Sequence, residues 1–376
     1  MSNQSTGEGL CKAILITMEA LTRQNSPEIK LDLFGNFEAL NAPVNKTAIE
    51  EIDREATSDK SGHIRSIEAF YRRRATSDIV NESPNCSFDP DEGRKQITID
   101  IDQYREVQFS MDETDIAQFC ADASEALNWI KMPGVDQRDI PVTTLMLEVY
   151  RVVKTYMNAL FASVEEDCAT FTASAFGYNL GNSPADPTAI TVPFLTNADG
   201  SPLYKGIQDM MHQYKSLNAQ VGRPLAVGLG ILDKFVNTIA LGGEAASGID
   251  FSKLNLPFDY FPSNYAPDIY GGTNNFALLA PGSAMVFTRN RNAGNFGGRK
   301  ADGSFYGWFP APLQRDNKLV NLDLAVNGDY CGNVTRKIQL TISLDYGFFS
   351  IPIDAYQASD RLSGVTGVFE YVASAV

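Results

Sequence analysis

The sequence predicts an α+β fold, on three observations. Apolar residues spaced by three and four run through Pro141 to Phe171, which is the helical period. Strict alternation marks Ile97, Ile99 and Ile101 and returns near the C-terminus at Ile338, Leu340, Ile342 and Leu344, which is the strand period. No repeat at a fixed period orders these segments into an array.

The long helix is the element the rest is built around. Leu145, Val149, Val152, Val153, Tyr156, Leu160, Val164, Cys168 and Phe171 keep one face dry. Asp139 and Pro141 supply a start signal and Gly177 a stop, with neither Gly nor Pro between Pro141 and Gly177. At about 1.5 Å per residue the rod would run roughly 45 Å, longer than an ordinary globular helix of three or four turns, so something must lie along it.

Composition narrows the function classes. With 376 residues and 44% apolar content, the chain can fill a sizeable core. It reads as soluble: no run approaches the roughly 18 apolar residues of a membrane span, and Met1 to Gly9 lacks the basic and apolar regions of a signal peptide. Five cysteines, Cys11, Cys86, Cys120, Cys168 and Cys331, show no CxxC spacing and read as reduced thiols in a cytosolic setting, so the Asn333 to Thr335 glycosylation match is chance. The formal net charge is −15, and the dense basic cluster is Arg72, Arg73 and Arg74. Tight binding to a phosphate backbone, which is driven by cations displacing counterions, is not expected. The arginine triplet is either a solvated or ion-paired helix face, or a patch for a partner or nucleic acid.

In chain order, Glu8 to Arg23 reads as a short amphipathic helix with Leu10, Ile14, Met18 and Leu21 on one side. From Gln24 to Gly62 the pattern dissolves, and a segment that buries so little of its own surface is either disordered or held extended on a neighbour. Ser66 to Arg74 reads as a helical turn or two. Ile79 to Cys86 and Gln96 to Phe109 then form a long hairpin, with a charged tip at Asp89-Pro90-Asp91-Glu92-Gly93-Arg94-Lys95 that lacks the spacing of a calcium loop. Such a ribbon is weak alone and wants a partner surface. Met111 to Ile130 is helical, with Asp112 as N-cap. After the long helix come a Pro/Gly/Asn-rich connector, a helix over Leu203 to Leu217, a short buried strand at Leu225 to Leu229 and a helix over Ile231 to Leu241. A turn-rich aromatic stretch contains one clear strand at Met285 to Thr288. The end is β, at Leu322 to Val326, Ile338 to Leu344 and Phe349 to Ile353.

Chemistry is sparse. His63 and His212 have no second ligand at metal spacing, and no nucleophile elbow, zinc-protease or phosphate-loop motif occurs, so no catalytic residue, cofactor or metal is expected. Gly228-Leu229-Gly230-Ile231-Leu232-Asp233 places a carboxylate where a dinucleotide site needs a third glycine; the simpler reading is a chain turn with Asp233 helping to cap the helix. Glu165, Glu166 and Asp167 splay around the helix axis and read as a solvated face. Trp129, Trp308, Tyr265 and Tyr270 could form a sugar platform, or else pack in a core or interface.

The order of these parts resembles the HK97-fold major capsid proteins of tailed bacteriophages. The resemblance makes residues 1–76 an N-terminal arm, 77–110 the E-loop hairpin, and 111–222 a peripheral domain with the spine helix. Residues 223–320 become an axial domain and 321–376 the return strands of the peripheral domain. Two local stretches look like the family. Lys205 to Gln208 through Asn218 to Val227 follows its helix, tight turn, Arg and strand, and Leu344-Asp345-Tyr346-Gly347 is similar to its late peripheral strand. The helix at Met111 to Ile130 is a departure. The resemblance implies a coat subunit that assembles through hexamers and pentamers into an icosahedral shell enclosing double-stranded DNA. Assembly would take place in the host cytoplasm, with scaffolding, portal and decoration proteins as partners. Because only residues 1–76 precede the hairpin, the scaffolding protein would be separate. Asp89, Asp91, Glu92, Arg94, Lys95, Arg72, Arg73 and Arg74 are the expected intersubunit contacts. An encapsulin-like compartment shares the fold and holds protein cargo; a soluble hydrolase or sugar-binding protein is the alternative from another class.

Overall fold

A computed structural model describes residues 3–46, 51–53, 66–72, 94–132, 134, 136, 139–176, 190–192, 208, 210–212, 223–240, 256–290, 298–299, 305–312, 319–329, 337–350 and 367–373. The fold is α+β. Its elements are α1 (Asn3–Arg23), a 3-10 turn (Pro27–Ile29), α2 (Gly35–Leu40), α3 (Pro43–Lys46), β1 (Glu51–Asp53), β2 (Ser66–Arg72), β3 (Arg94–Asp100), β4 (Gln103–Asp112), α4 (Glu113–Lys131), α5 (Thr144–Ser174), β5 (Ile190–Val192), β6 (Leu225–Gly228), α6 (Ile231–Ala240), β7 (Asp259–Pro262), α7 (Ala266–Ile269), β8 (Asn275–Leu279), β9 (Ala284–Arg289), β10 (Gly298–Arg299), β11 (Phe305–Pro312), β12 (Leu319–Asp329), β13 (Lys337–Ser350) and β14 (Val368–Ala373).

The chain divides into two compact units. The first comprises Met1–Asp32, Asp102–Val164 and Thr288–Tyr346. Its sheet runs in the order β10-β11-β12-β13-β4, antiparallel throughout. Cross-strand partners share a face, so the register sets Leu324 opposite Ile342 and Val326 opposite Leu340, with Phe109 on the far side of Leu340. All of these are buried. Phe109 stacks on Tyr156 of α5 with ring centroids 4.3 Å apart. α1 packs against α4, β11 and β12, burying Leu10, Cys11, Ala13, Ile14, Met18, Ala20 and Leu21.

The second unit comprises Leu33–Ile101, Glu165–Phe287 and Gly347–Val376. One sheet runs β5-β14-β8-β6-β7, with β6 parallel to β7 and antiparallel to β8. The other is a three-stranded ribbon, β1-β2-β3. Near the base of the ribbon the backbone of Gly347 lies so close to Asp100 that a Cβ there would sit 2.0 Å from the Asp100 carbonyl oxygen, leaving room only for glycine.

The long helix forms three residues later than its sequence signals indicate. Thr143, not Asp139, caps it: its hydroxyl accepts from the Met146 N–H (3.1 Å) and donates to Asp122 of α4 (2.7 Å). Val149, Val153, Leu160, Val164 and Cys168 are buried as expected, joined by Met146, Tyr150, Met157 and Phe161, while Val152 is exposed. Asp112 holds the N-cap position of α4 without a side-chain cap bond. It is also the last residue of β4, paired with Lys337.

Several expectations are corrected. Ser66 to Arg74 is not helical: Ser66–Arg72 is strand β2, where Ile67, Ala69 and Tyr71 alternate with Ser66, Glu68, Phe70 and Arg72. So short a segment fits either period until a partner strand decides it. The strand expected from Gln96 to Phe109 breaks at Ile101-Asp102, because β3 pairs with β2 and β4 pairs with β13. Over α1 the leading segment buries its apolar face in its own unit. β11 pairs with β12, and β14 pairs with β8. Ile79 to Cys86 lies outside the described residues; of Leu203 to Leu217, Gln208 and Met210 to His212 are described, and they are helical.

Candidate functional site

The ribbon is the first candidate surface, and its register explains its character. Ile67 faces Ile99 and Ala69 faces Ile97, with Ile52 on the other side of Ala69. Alternation puts Ala69, Ile97 and Ile99 on one face and Phe70, Gln96, Thr98 and Asp100 on the other. The chain itself covers Ala69 and Ile99 and leaves Ile97 partly open. A hairpin-derived sheet of three strands is marginal without cover for its apolar face.

Of the expected contact residues, Asp89, Asp91, Glu92, Arg73 and Arg74 lie outside the described residues. Arg72 and Arg94 are brought together as a register pair closing the described ribbon, and Lys95 pairs with Tyr71.

The second candidate is one the sequence reading missed. Glu165, expected on a solvated face with Glu166 and Asp167, is fully buried, whereas Glu166 is exposed. Its Oε1 accepts from the Asn36 N–H (2.8 Å), Asn36 Nδ2 (3.0 Å) and the Ser263 hydroxyl (2.5 Å). Its Oε2 accepts from the Phe37 N–H (2.7 Å). Asn36 Nδ2 also donates to Ser263 Oγ (2.9 Å), and Tyr270 donates its hydroxyl to Asn36 Oδ1. Two of the donors are amides of the first turn of α2, whose own N-cap position, Phe34, offers no side-chain cap; Glu165 supplies the cap from another helix. Gly35 permits the approach, since a Cβ there would lie 2.3 Å from the Pro262 carbonyl oxygen. Asn45 adds an anchor, donating to Ala39 O (2.7 Å) and accepting from the Gly282 N–H (2.9 Å).

Burial pushes the Glu165 carboxyl above its ordinary value, and the donors from Ser263, Phe37 and Asn36 pull part of the way back. Burial likewise raises Cys168 and Tyr270, with the charge of Glu165 adding to both. One sequence signal could have exposed Glu165: it shares a helical face with buried Phe161, Cys168, Ala169 and Thr172.

The remaining chemistry resolves into packing. Tyr260 places its hydroxyl within 3.2 Å of Gly228 O and 3.1 Å of Asp233 Oδ1, so the G-x-G turn is filled by the protein's own side chain. Tyr270 is buried and donates its hydroxyl to Asn36, so its ring is packing and not a surface open to a sugar. Among the described residues, no three His, Cys, Asp or Glu side chains converge as a metal cluster.

No protein-family model matches the chain, and no curated protein matches it in sequence. Solved structures similar to it include one from Mycobacterium phage Che8 (TM-score 0.41, 11% identity, covering 82% of this chain and 85% of that one). Another is the capsid of cyanophage P-SCSP1u (TM-score 0.37, 10% identity, 84% and 85%). A third is a virus-like particle from Pyrococcus furiosus (TM-score 0.37, 10% identity, 82% and 87%).

Proposed function

We propose that this chain is a shell subunit, a major capsid protein of the HK97 type that assembles through hexamers and pentamers around double-stranded DNA. The observation that carries the proposal is the ribbon, where Ala69, Ile97 and Ile99 share a face on which the chain covers Ala69 and Ile99 and leaves Ile97 partly open. An apolar side chain brought from water into contact gains about 1.5–3 kcal/mol, and a sister subunit repeated around a closed ring supplies that cover many times over. In this reading residues 77–110, which include β3, are the E-loop and α5 is the spine. The sheet ending in β4 is peripheral, and the sheet centred on β8 is axial. Arg72, Arg73, Arg74, Asp89, Asp91, Glu92, Arg94 and Lys95 make the intersubunit contact. The net charge of −15 suits a container that holds nucleic acid without gripping it. Scaffolding, portal and decoration proteins are the expected partners, the host cytoplasm the place of assembly and the virion capsid the destination.

Electron microscopy of the purified protein tests this. Closed particles are expected. Extracted double-stranded DNA supports a virion shell, enzyme cargo favours an encapsulin-like compartment, and a monomer or small oligomer overturns both.

A further inference from the structure

The sheet of the first unit ends in β4, and that edge is open. β4 is ten residues long, pairs with β13 in unbroken register and has no described strand on its other side. Among the described residues nothing hydrogen-bonds to the outward backbone groups of residues 106–111. Burial marks the same limit. Thr341 and Ser343 of β13 are buried, yet their cross-strand partners Gln108 and Glu106 are exposed, and Val107 is half-buried opposite fully buried Ile342. A long open edge is a template for another strand, and proteins ordinarily blunt it with Pro, Lys, a bulge or a short length. β4 has none of these.

We propose that β4 is a docking edge for β4 of a second copy, the two strands pairing antiparallel about Gln108 into one sheet across a two-fold axis. An axis normal to the sheet keeps the faces carrying Phe109, which Tyr156 of α5 covers, on one side, so each residue meets one of its own face. Charge then selects the register. Centring on Arg105 or Glu106 would set that charge against itself, and centring on Phe109 would set Glu106 against Asp112; like charges directly opposite are destabilising. Centring on Val107 would leave Ser110 and Met111 opposite Tyr104 and Gln103, outside the open stretch. Gln108 as centre avoids all of this and keeps the pairs 106 with 110 and 107 with 109 inside it. Glu106 already accepts the Gln108 amide on Oε1 (3.1 Å) and the Tyr104 hydroxyl on Oε2, and it then faces the Ser110 hydroxyl of the second copy, a further donor. Val107 faces Phe109, which gives a half-open side chain apolar cover. The two Gln108 amides face each other, each with donor and acceptor. The shell reading is not needed here: a dimer without particles keeps the pairing and removes the shell.

Oxidative cross-linking of the full chain with diamide tests the pairing, using single substitutions at exposed positions and circular dichroism to check the fold. Residues directly opposite across two strands sit about 4.5–5.5 Å apart, within disulfide reach, whereas position 106 lies roughly 13 Å along the strands from position 106 of the other copy. Gln108→Cys is expected to give a covalent dimer as the main species on a non-reducing gel, with mass spectrometry placing the bond between position 108 of one copy and position 108 of the other. Glu106→Cys and Ser110→Cys, each alone, should stay at the wild-type level, and the two co-expressed should cross-link to each other. No cross-link from folded Gln108→Cys, none from the co-expressed pair, or as much dimer from Glu106→Cys or Ser110→Cys alone, overturns the pairing. The co-expressed pair decides the matter even if Gln108→Cys does not fold.

Discussion

Glu165 shows how one side chain can bind distant parts of a sequence. Residues 36, 37, 165, 263 and 270 are far apart in the chain and meet through its two oxygens and Asn36. Replacing Glu165 by Ala strands the amides of Asn36 and Phe37 and the Ser263 hydroxyl in a buried site, where each unsatisfied group costs about 1–3 kcal/mol. Glu165→Ala is therefore expected to lower stability by about 3 kcal/mol or more, measured as a shift of the urea midpoint. Little of this was legible in the sequence. Three adjacent acids look like a wet face, and whether one of them turns inward depends on donors 98 to 129 residues away. Val152 erred in the opposite direction: it fits the apolar stripe, yet Val153 beside it takes the buried position.

Elements with a long periodic pattern were read correctly: α1, α4, α5, α6, β12 and β13 follow their apolar spacing, because many residues vote on one period. The short β6 and β9 were legible for another reason, as continuous apolar runs that are buried along Leu225–Gly228 and Ala284–Phe287. β2 was misread as helix because its seven residues carry few votes and its strand partner lies elsewhere in the chain. The break between β3 and β4 was invisible for a related reason: the alternation runs on through Ile101, and only the change of partner strand interrupts it. α1 was legible as a helix but not as to where it packs. Its apolar side rests on α4, β11 and β12 of its own unit. Leu21→Ala is accordingly expected to destabilise the isolated subunit by about 2–5 kcal/mol in equilibrium unfolding, a cost that would be near zero if α1 found its cover only on another copy.

At the scale of the whole molecule, the α+β class and the concentration of strands toward the C-terminus were predictable, whereas the interleaving of two units from three chain segments each was not. Such interleaving is written in pairings such as β14 with β8 and β4 with β13, which no local pattern announces. Among the described residues the ribbon keeps Ile97 partly open beside Ala69 and Ile99. Function, in this account, resides in that unfinished face. Sedimentation of the wild-type protein beside Ile97→Glu, with circular dichroism confirming that the variant is folded, tests it most directly. The expected result is large closed particles from the wild type and dispersed, folded subunits from Ile97→Glu. A wild type that stays a small species, or a variant that assembles as readily as its parent, would contradict it.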